Sequence, residues 1–365
     1  MIYTKRPFQE KMVLFWHGLL TSASSKVGKG PKMLHQNTLF RNHALGRFNE
    51  LLKAISKDPA MLIWLDSKRN RKRTPNENFA RELLELFSMG EGTFTETDVR
   101  EVARAFTGYF ISNDAFSFRA SQHDSGRKHV FNRTGNFDGD DIIGMIMEQP
   151  ITAEYISKRL FTFFVHDDPT PTFIKKMGGI LRANQYKIRP LMRFLLSSRE
   201  FYSEKAYRAK IKSPSELVAG TLRMLEIETD GRKLPAVLTN MGQTLFNPPD
   251  VAGWPGGHAW INSTTLLHRL NFAHLITRSR IGGTRFEPRR VLPNGNAHEM
   301  QLTISPLVNG LLDGRMHPRG REILEAHGRL LDNQISSSGK SSKIVDRSQR
   351  DLAYYMLASP EFQLG

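Results

Sequence analysis

The sequence predicts a mainly α-helical, soluble globular protein, a bundle-like array of many helices with one small β-hairpin or loop insert near residues 109–139. Three observations predict it. Apolar residues recur at offsets of three and four through most of the chain, start and stop signals punctuate those stretches, and one Gly-, Ser-, Asn- and Asp-rich interval breaks the pattern. Hydrophobic residues make up 39% of the 365 and aromatic residues 10%, enough for a substantial core.

Met12–Leu20 is the first apolar stretch. It is shorter than the roughly 18–20 residues a membrane span needs, so it reads as a core helix with His17 a satisfied core histidine. Leu45, Phe48, Leu52 and Ile55 then mark one buried helix face. Lys57-Asp58-Pro59 stops that helix and opens another through Met61, Leu62 and Trp64. Lys68, Arg69, Arg71, Lys72 and Arg73 form a basic run, either a solvated linker or a nucleic-acid contact. Thr74 as N-cap, Pro75 at the first helical position and Glu77 as capping-box partner start the next helix. Phe79, Leu83, Leu86 and Phe87 line its buried face, and Gly90 stops it. Thr95-Glu96-Thr97-Asp98 starts a further helix with Val99, Val102, Ala103 and Phe106 on one face, so the pair reads as an αα-hairpin.

Within 109–139 the β-prone pieces are Phe116–Phe118 and His129–Phe131. Helices resume near Asp140, read as a cap, and continue with breaks at Pro150, Pro169 and Pro214 to about residue 242. Phe246–Trp260 is irregular, and a helix follows from about Ser263. Residues 280–300 and 333–345 read as mobile polar loops. The expected organisation is a helical region 1–108, the insert 109–139, and a helical region 140–365 continuous with the first. Leu196-Ser197-Ser198-Arg199-Glu200-Phe201 is similar to Leu357-Ala358-Ser359-Pro360-Glu361-Phe362, which hints at a distant duplication.

The net charge of +16 favours an anionic surface or polymer: nucleic acid, acidic polysaccharide or an anionic membrane. With no cysteine, disulfides, thiolate metal sites and a cysteine nucleophile are excluded. The chain carries no P-loop, GxSxG elbow, HExxH or dinucleotide fingerprint. The acidic run from Asn136 fails as a calcium loop, with Asp141 where Gly belongs and Met147 where Glu belongs.

Three sets of polar residues are candidates for chemistry. Asn78, Arg81, Glu82 and Glu85 share one helix face, near Asn76 and Glu77. Paired carboxylates can hold a divalent cation or act as general acid and base, and Arg81 can orient an anionic group. The same face also reads as a solvated one, laced by Glu77–Arg81 and Arg81–Glu85 pairs. His123 and Asp124, with Lys128, offer nitrogen, carboxylate and ammonium groups on one loop, suited to a metal or phosphate or simply to a polar loop. Asp250, Trp254, His258 and Trp260 lie in the Pro/Gly-rich stretch, either a ligand shelf or a rigid turn pinned by two indoles. If the sets converge, Glu82, Glu85, His123 and Asp250 would bind a divalent cation, while Arg81 and Lys128 would fix an anion.

The segments KMVLFWHGLLTS, KDPAMLIWLD, TPNENFARELLELFSMGEGTFTETDVREVARAFTGYF, the His123-Asp124 pair followed by Lys128, PPDVAGWPGGHAWINSTTLLHR and the closing LASPEFQL resemble the bacterial family of domain of unknown function 1800. The resemblance implies a mostly helical fold, an extracytoplasmic location and a protein partner from a neighbouring exported family. It brings no established activity, leaving a cell-envelope hydrolase, a ligand-binding protein and a partner-binding scaffold as readings. It also implies a further helical region before the FWH segment, so this chain reads as a truncated form or as one with a mis-called start. Met1–Pro7 has no apolar signal region, from which a cytoplasmic location is expected for the chain as it stands. Where relatives carry a second histidine two positions after His17, Leu19 stands here.

Overall fold

The computed structural model describes residues 1–291, 300–337 and 342–365. Helix accounts for 61% of the chain. Among the described residues the strands form three separate two-stranded antiparallel pairs, so the protein is mainly α. No described helix is long and apolar enough to cross a membrane. The chain forms two compact units. The N-terminal unit comprises residues 4–206 and 246–254, and the C-terminal unit residues 1–3, 207–245 and 255–365. The boundary at 206/207 falls inside the stretch expected to be one continuous helical region.

The N-terminal unit begins with α1 (Pro7–Leu19), α2 (Gly30–His43), α3 (Phe48–Ser56) and α4 (Pro59–Trp64). Asp58 caps α4 by accepting from the Met61 N–H at 3.0 Å, and Pro59 fills the first helical position. Helix α5 (Asn78–Leu84) runs into a single π-helical turn, Glu85–Met89. That turn closes through the Gly90 N–H on the Glu85 carbonyl at 3.0 Å, and the Tyr155 hydroxyl takes the Leu86 carbonyl at 2.7 Å. Gly90, at φ 85°, ends the helix with the Tyr155 ring 3.1 Å from where a Cβ would sit. Helix α6 (Glu96–Ala105) starts after Thr95, as its sequence predicts, and opens with a reciprocal capping box between Thr95 and Asp98.

The 109–139 insert is two tight hairpins. Strands β1 (Tyr109–Ser112) and β2 (Ala115–Phe118) turn through Asn113-Asp114, and β3 (Lys128–Val130) and β4 (Arg133–Gly135) turn through Phe131-Asn132. All four turn residues have positive φ, the geometry that matches strand twist in a two-residue loop. Helices α7 (Gly139–Glu148), α8 (Pro150–Phe164), α9 (Pro171–Ala183) and α10 (Ile188–Leu196) complete the unit. Trp16, Phe40, Phe48, Leu83, Phe87, Val102, Ile143, Phe161 and Leu191 all contribute to one continuous core.

The C-terminal unit packs α11 (Pro214–Met224), α12 (Leu234–Asn240), α13 (Ser263–Thr277), α14 (Met300–Leu312), α15 (Pro318–Ser337) and α16 (Ser342–Ala358) around a second core containing Leu222, Met241, Phe272, Ile276, Leu352, Met356 and Phe362. Its last residues pair with 210–212, Lys210 and Gly365 exchanging backbone hydrogen bonds of 3.1 and 2.7 Å. The two similar hexapeptides form the same turn, one after α10 and one after α16. Ser198 and Ser359 each donate to the carbonyl three residues back, at 2.7 and 2.8 Å. Each also accepts from the Phe three residues on, at 3.2 and 3.4 Å.

Three local expectations are corrected. Thr74 does not cap α5. Its backbone exchanges hydrogen bonds with Arg71, and the helix starts four residues later, where the Asn76 side chain accepts from the Asn78 N–H at 3.2 Å. Asp138 rather than Asp140 caps α7, its Oδ1 accepting from the N–H groups of Asp140 and Asp141. Asp140 is left to pair with Lys57 at 2.8 Å. Of the expected mobile loops, 333–337 and 342–345 are helical and 281–291 holds a strand pair partner and a helical turn, while 292–299 and 338–341 lie outside the described residues.

Candidate functional site

The basic run is held by one residue. Asn70 is 2% exposed; its side chain donates to the Ala103 carbonyl of α6 at 2.7 Å and accepts from the Asn76 N–H at 2.9 Å. With this peg buried, Lys68, Arg69, Arg71, Lys72 and Arg73 are all exposed. The loop lies along the first hairpin. The Lys72 N–H donates to Gln122, and the Gly108 N–H donates to Asn70. Gly108 is at φ 85°, and a Cβ there would meet the Arg119 carbonyl at 2.9 Å, so only glycine lets the two ends of the first hairpin approach this closely.

Arg119, also exposed, adds a sixth cation. Its guanidinium and that of Arg71 sit over the same Phe110 ring, 4.4 and 5.8 Å from the centroid. Beside Arg119, Phe118 is 50% exposed, with His123 and Tyr109 against its ring at 5.3 and 6.2 Å. None of the six cations makes an ion pair or a hydrogen bond to an acid among the described residues. The flanking acids are engaged elsewhere: Asp66 by Lys26 at 2.8 Å, and Asp114 by Lys29 and Lys32 at 3.0 and 2.7 Å. Glu77 follows the loop, and its charge acts on Arg81.

On the α5 face, Arg81 is not paired along its own helix. It crosses to α6 and grips both oxygens of Glu96, at 2.8 and 2.7 Å. Glu82 is half-buried and makes no hydrogen bond or ion pair among the described residues. Burial, helped by the neighbouring Glu85 charge, pushes its carboxyl up to about 6. Glu85 opens the π-helical turn, and Asn78 is exposed at the helix start.

His123, Asp124 and Lys128 belong to a closed network. The His123 Nδ1 meets the Thr107 carbonyl at 2.9 Å, and the Asp124 N–H donates to the Thr107 hydroxyl at 2.7 Å. Arg104 donates to both Asp124 oxygens, at 2.8 and 3.3 Å, and holds that carboxyl below its usual range. The Lys128 side chain is fully buried, its ammonium on the carbonyls of Asp124 and Gly126 at 2.6 and 3.1 Å; burial draws its pKa down.

The 246–254 segment docks on α1. The Thr21 hydroxyl donates to the Val251 carbonyl at 2.7 Å, Asp250 accepts from the Ala252 N–H at 2.9 Å, and Trp254 meets His17 edge-on at 5.3 Å. Gly253, at φ 89°, lies so close to Gly18 that a Cβ would stand 2.3 Å from its carbonyl oxygen. His17 is a core histidine. Burial lowers it to about 4, among Phe40, Phe246 and Trp254, although its Nε2 has no partner. In the C-terminal unit His258 is exposed, and Trp260 is buried with its carbonyl taken by the Thr265 hydroxyl at 3.0 Å.

Among the described residues no hydrogen bond or ion pair joins the α5 face, the His123 network and the Asp250 turn. No three His, Asp or Glu side chains there group to hold a metal ion, so Glu82, Glu85, His123 and Asp250 do not form the expected cation site. Sequence reading missed Asn70 and the hairpin contribution to the basic face, and it missed two features of the C-terminal unit. One is Arg269, fully buried, with hydrogen bonds to the Lys212 carbonyl and the Gln363 side chain. The other is a cavity of about 390 Å³ lined by Met316, Ile323, Leu324, His327, Tyr355 and Pro360, among others. Arg269 ends one of the segments that carry the family resemblance and His327 lies outside them all, and only burial or shape singles either out.

No curated protein and no solved structure matches the chain. With residues 1–364 matched by the model of the family described as Protein of unknown function (DUF1800), the chain belongs to that family.

Proposed function

We propose that this protein binds a polyanion, with the loop Lys68–Arg73 and the adjoining hairpin as its contact surface. One observation carries the reading: six exposed cations from two chain segments are held together without a carboxylate partner. Such a surface releases counterions when it meets a polyanion, so affinity falls steeply with salt. In this reading the Arg104–Asp124–Lys128–His123 network is structural and holds the hairpins against α6. Replacing Arg69, Lys72 and Arg73 together by Gln should lower affinity for heparin or an oligonucleotide at low salt on the order of 100-fold, at roughly 1 kcal/mol per cation, and should flatten the salt dependence. Fluorescence anisotropy measures both. Unchanged binding by the variant, or no binding by the wild type at low salt, removes the reading.

A second reading, a hydrolase acting through the α5 face, is favoured by Glu82 alone. An acid raised to about 6 beside a second carboxylate suits general acid work near neutral pH, and a π-helical turn is frequent at functional positions. Titration of Glu82 near pH 6 is its first requirement.

A further inference from the structure

We infer that the cavity in the C-terminal unit binds a medium-chain aliphatic carboxylate, its tail lying along α15 and its head on Arg319. The inference does not rest on the polyanion reading, since no residue of the basic loop takes part. At about 390 Å³ the cavity has the size of a small-ligand site. Arg319, Ile323 and His327 line it at intervals of four residues, which places them on one face of α15 over about 12 Å of helix. The wall is a stripe along the helix axis, a shape that suits an extended ligand.

That stripe changes character from one end to the other. At the far end His327 lies edge-on to the Tyr355 ring at 4.5 Å, its Nε2 covered and without a partner. Along the middle Leu324 is buried, while Ile323 is 61% exposed and stands to gain from an alkyl cover. Met316 adds a side chain that adapts to an irregular apolar neighbour. At the near end Arg319 is exposed, and its guanidinium makes no ion pair or hydrogen bond to an acid among the described residues. Glu361 also lines the cavity, but its Oε1 already accepts from the His317 N–H at 2.9 Å, and the first turn of α15 brings the helix's positive pole to the same end. A carboxylate on an aliphatic tail matches both ends. An alcohol would leave the guanidinium without a charged partner, and an amine would be repelled by it.

Isothermal titration calorimetry of the full chain with decanoate, decanol and decylamine tests this. Decanoate should bind about tenfold more tightly than decanol, and decylamine most weakly of the three. Shortening the acid to octanoate should weaken binding at about fourfold per methylene removed. Arg319→Gln should bring decanoate down to the affinity of decanol without changing decanol itself, and Ile323→Gln should weaken both alike. Both side chains are exposed, and circular dichroism checks that the variants stay folded; the comparison of probes on the unaltered chain needs no variant. No binding of decanoate, tighter binding of decylamine, equal affinity for octanoate and decanoate, or decanoate binding indifferent to both substitutions would each overturn the inference and leave the polyanion reading untouched.

Discussion

Asn70 and Glu82 show how much a single side chain's surroundings decide. Asn70 sits among five cations in the sequence, and as a residue type it belongs in a turn. Its burial depends on the Ala103 carbonyl, 33 positions away, and no local pattern encodes that. The run was legible as exposed charge; the peg that aims it was not. Glu82 was legible as a member of a polar face, but its half-burial was not, because the 3.6-residue pattern gives a direction and not a depth. That depth has a measurable sign. The folded-state value of about 6 lies above the unfolded value of about 4.3, so the folded protein binds the proton more tightly. The stability this gives is fully present below about pH 4.3 and is lost as pH rises through 6. Glu82→Gln should therefore stabilise the protein at pH 7 by about 1 kcal/mol, after allowance for solvent screening of a half-exposed group, with no gain at pH 4. Urea unfolding at the two pH values decides it, and equal gains at both would show that the charge is irrelevant.

At the scale of elements, the two helix starts expected at Thr74 and Thr95 form a controlled pair. Both fit the sequence rule, and only Thr95 obeys it, with Asp98 donating back to its hydroxyl and accepting from its N–H. At Thr74 the tertiary claim on Asn70 and Asn76 holds the chain in a loop until Glu77, so the local signal loses. Thr95→Ala should accordingly cost about 1 kcal/mol and Thr74→Ala less than about 0.5 kcal/mol, measured by chemical denaturation. Equal losses would restore a cap to Thr74. The hairpins were foreseen as β-prone pieces, yet their turns were hidden. Asn113-Asp114 and Phe131-Asn132 lack the glycine that usually marks two positive φ values, and Phe131 takes that conformation while packing against the core. The π-helical turn was hidden for a similar reason, since it depends on Tyr155 from another helix claiming the Leu86 carbonyl.

For the whole molecule, the helical class was legible because periodicity is repeated across hundreds of residues, whereas the division into two units was not. Both cores are built from the same apolar alphabet, and no composition change marks residue 206. The Pro/Gly-rich stretch was read as either shelf or pinned turn. Its first part, 246–254, is pinned: it leaves the C-terminal unit's run of sequence to complete the N-terminal unit on α1. Gly253 is where that docking is tightest. Gly253→Ala meets both a positive φ and the Gly18 carbonyl, and should destabilise the N-terminal unit by about 3 kcal/mol. Hydrogen exchange at the amides of α1 and α2 should report the loss. Unchanged protection there would mean that the segment contributes nothing to the unit it covers.

That returning segment also sets a schedule for a chain emerging from the ribosome. All helices of the N-terminal unit are synthesised by residue 206, but the surface of α1 that receives Gly253 stays uncovered until residue 254 has been added. At about 5–20 residues per second, the interval is on the order of several seconds. Throughout it His17 and the aromatic rings around it lack their last cover, and the newborn protein passes through a window in which a chaperone has an apolar target that the finished protein no longer offers.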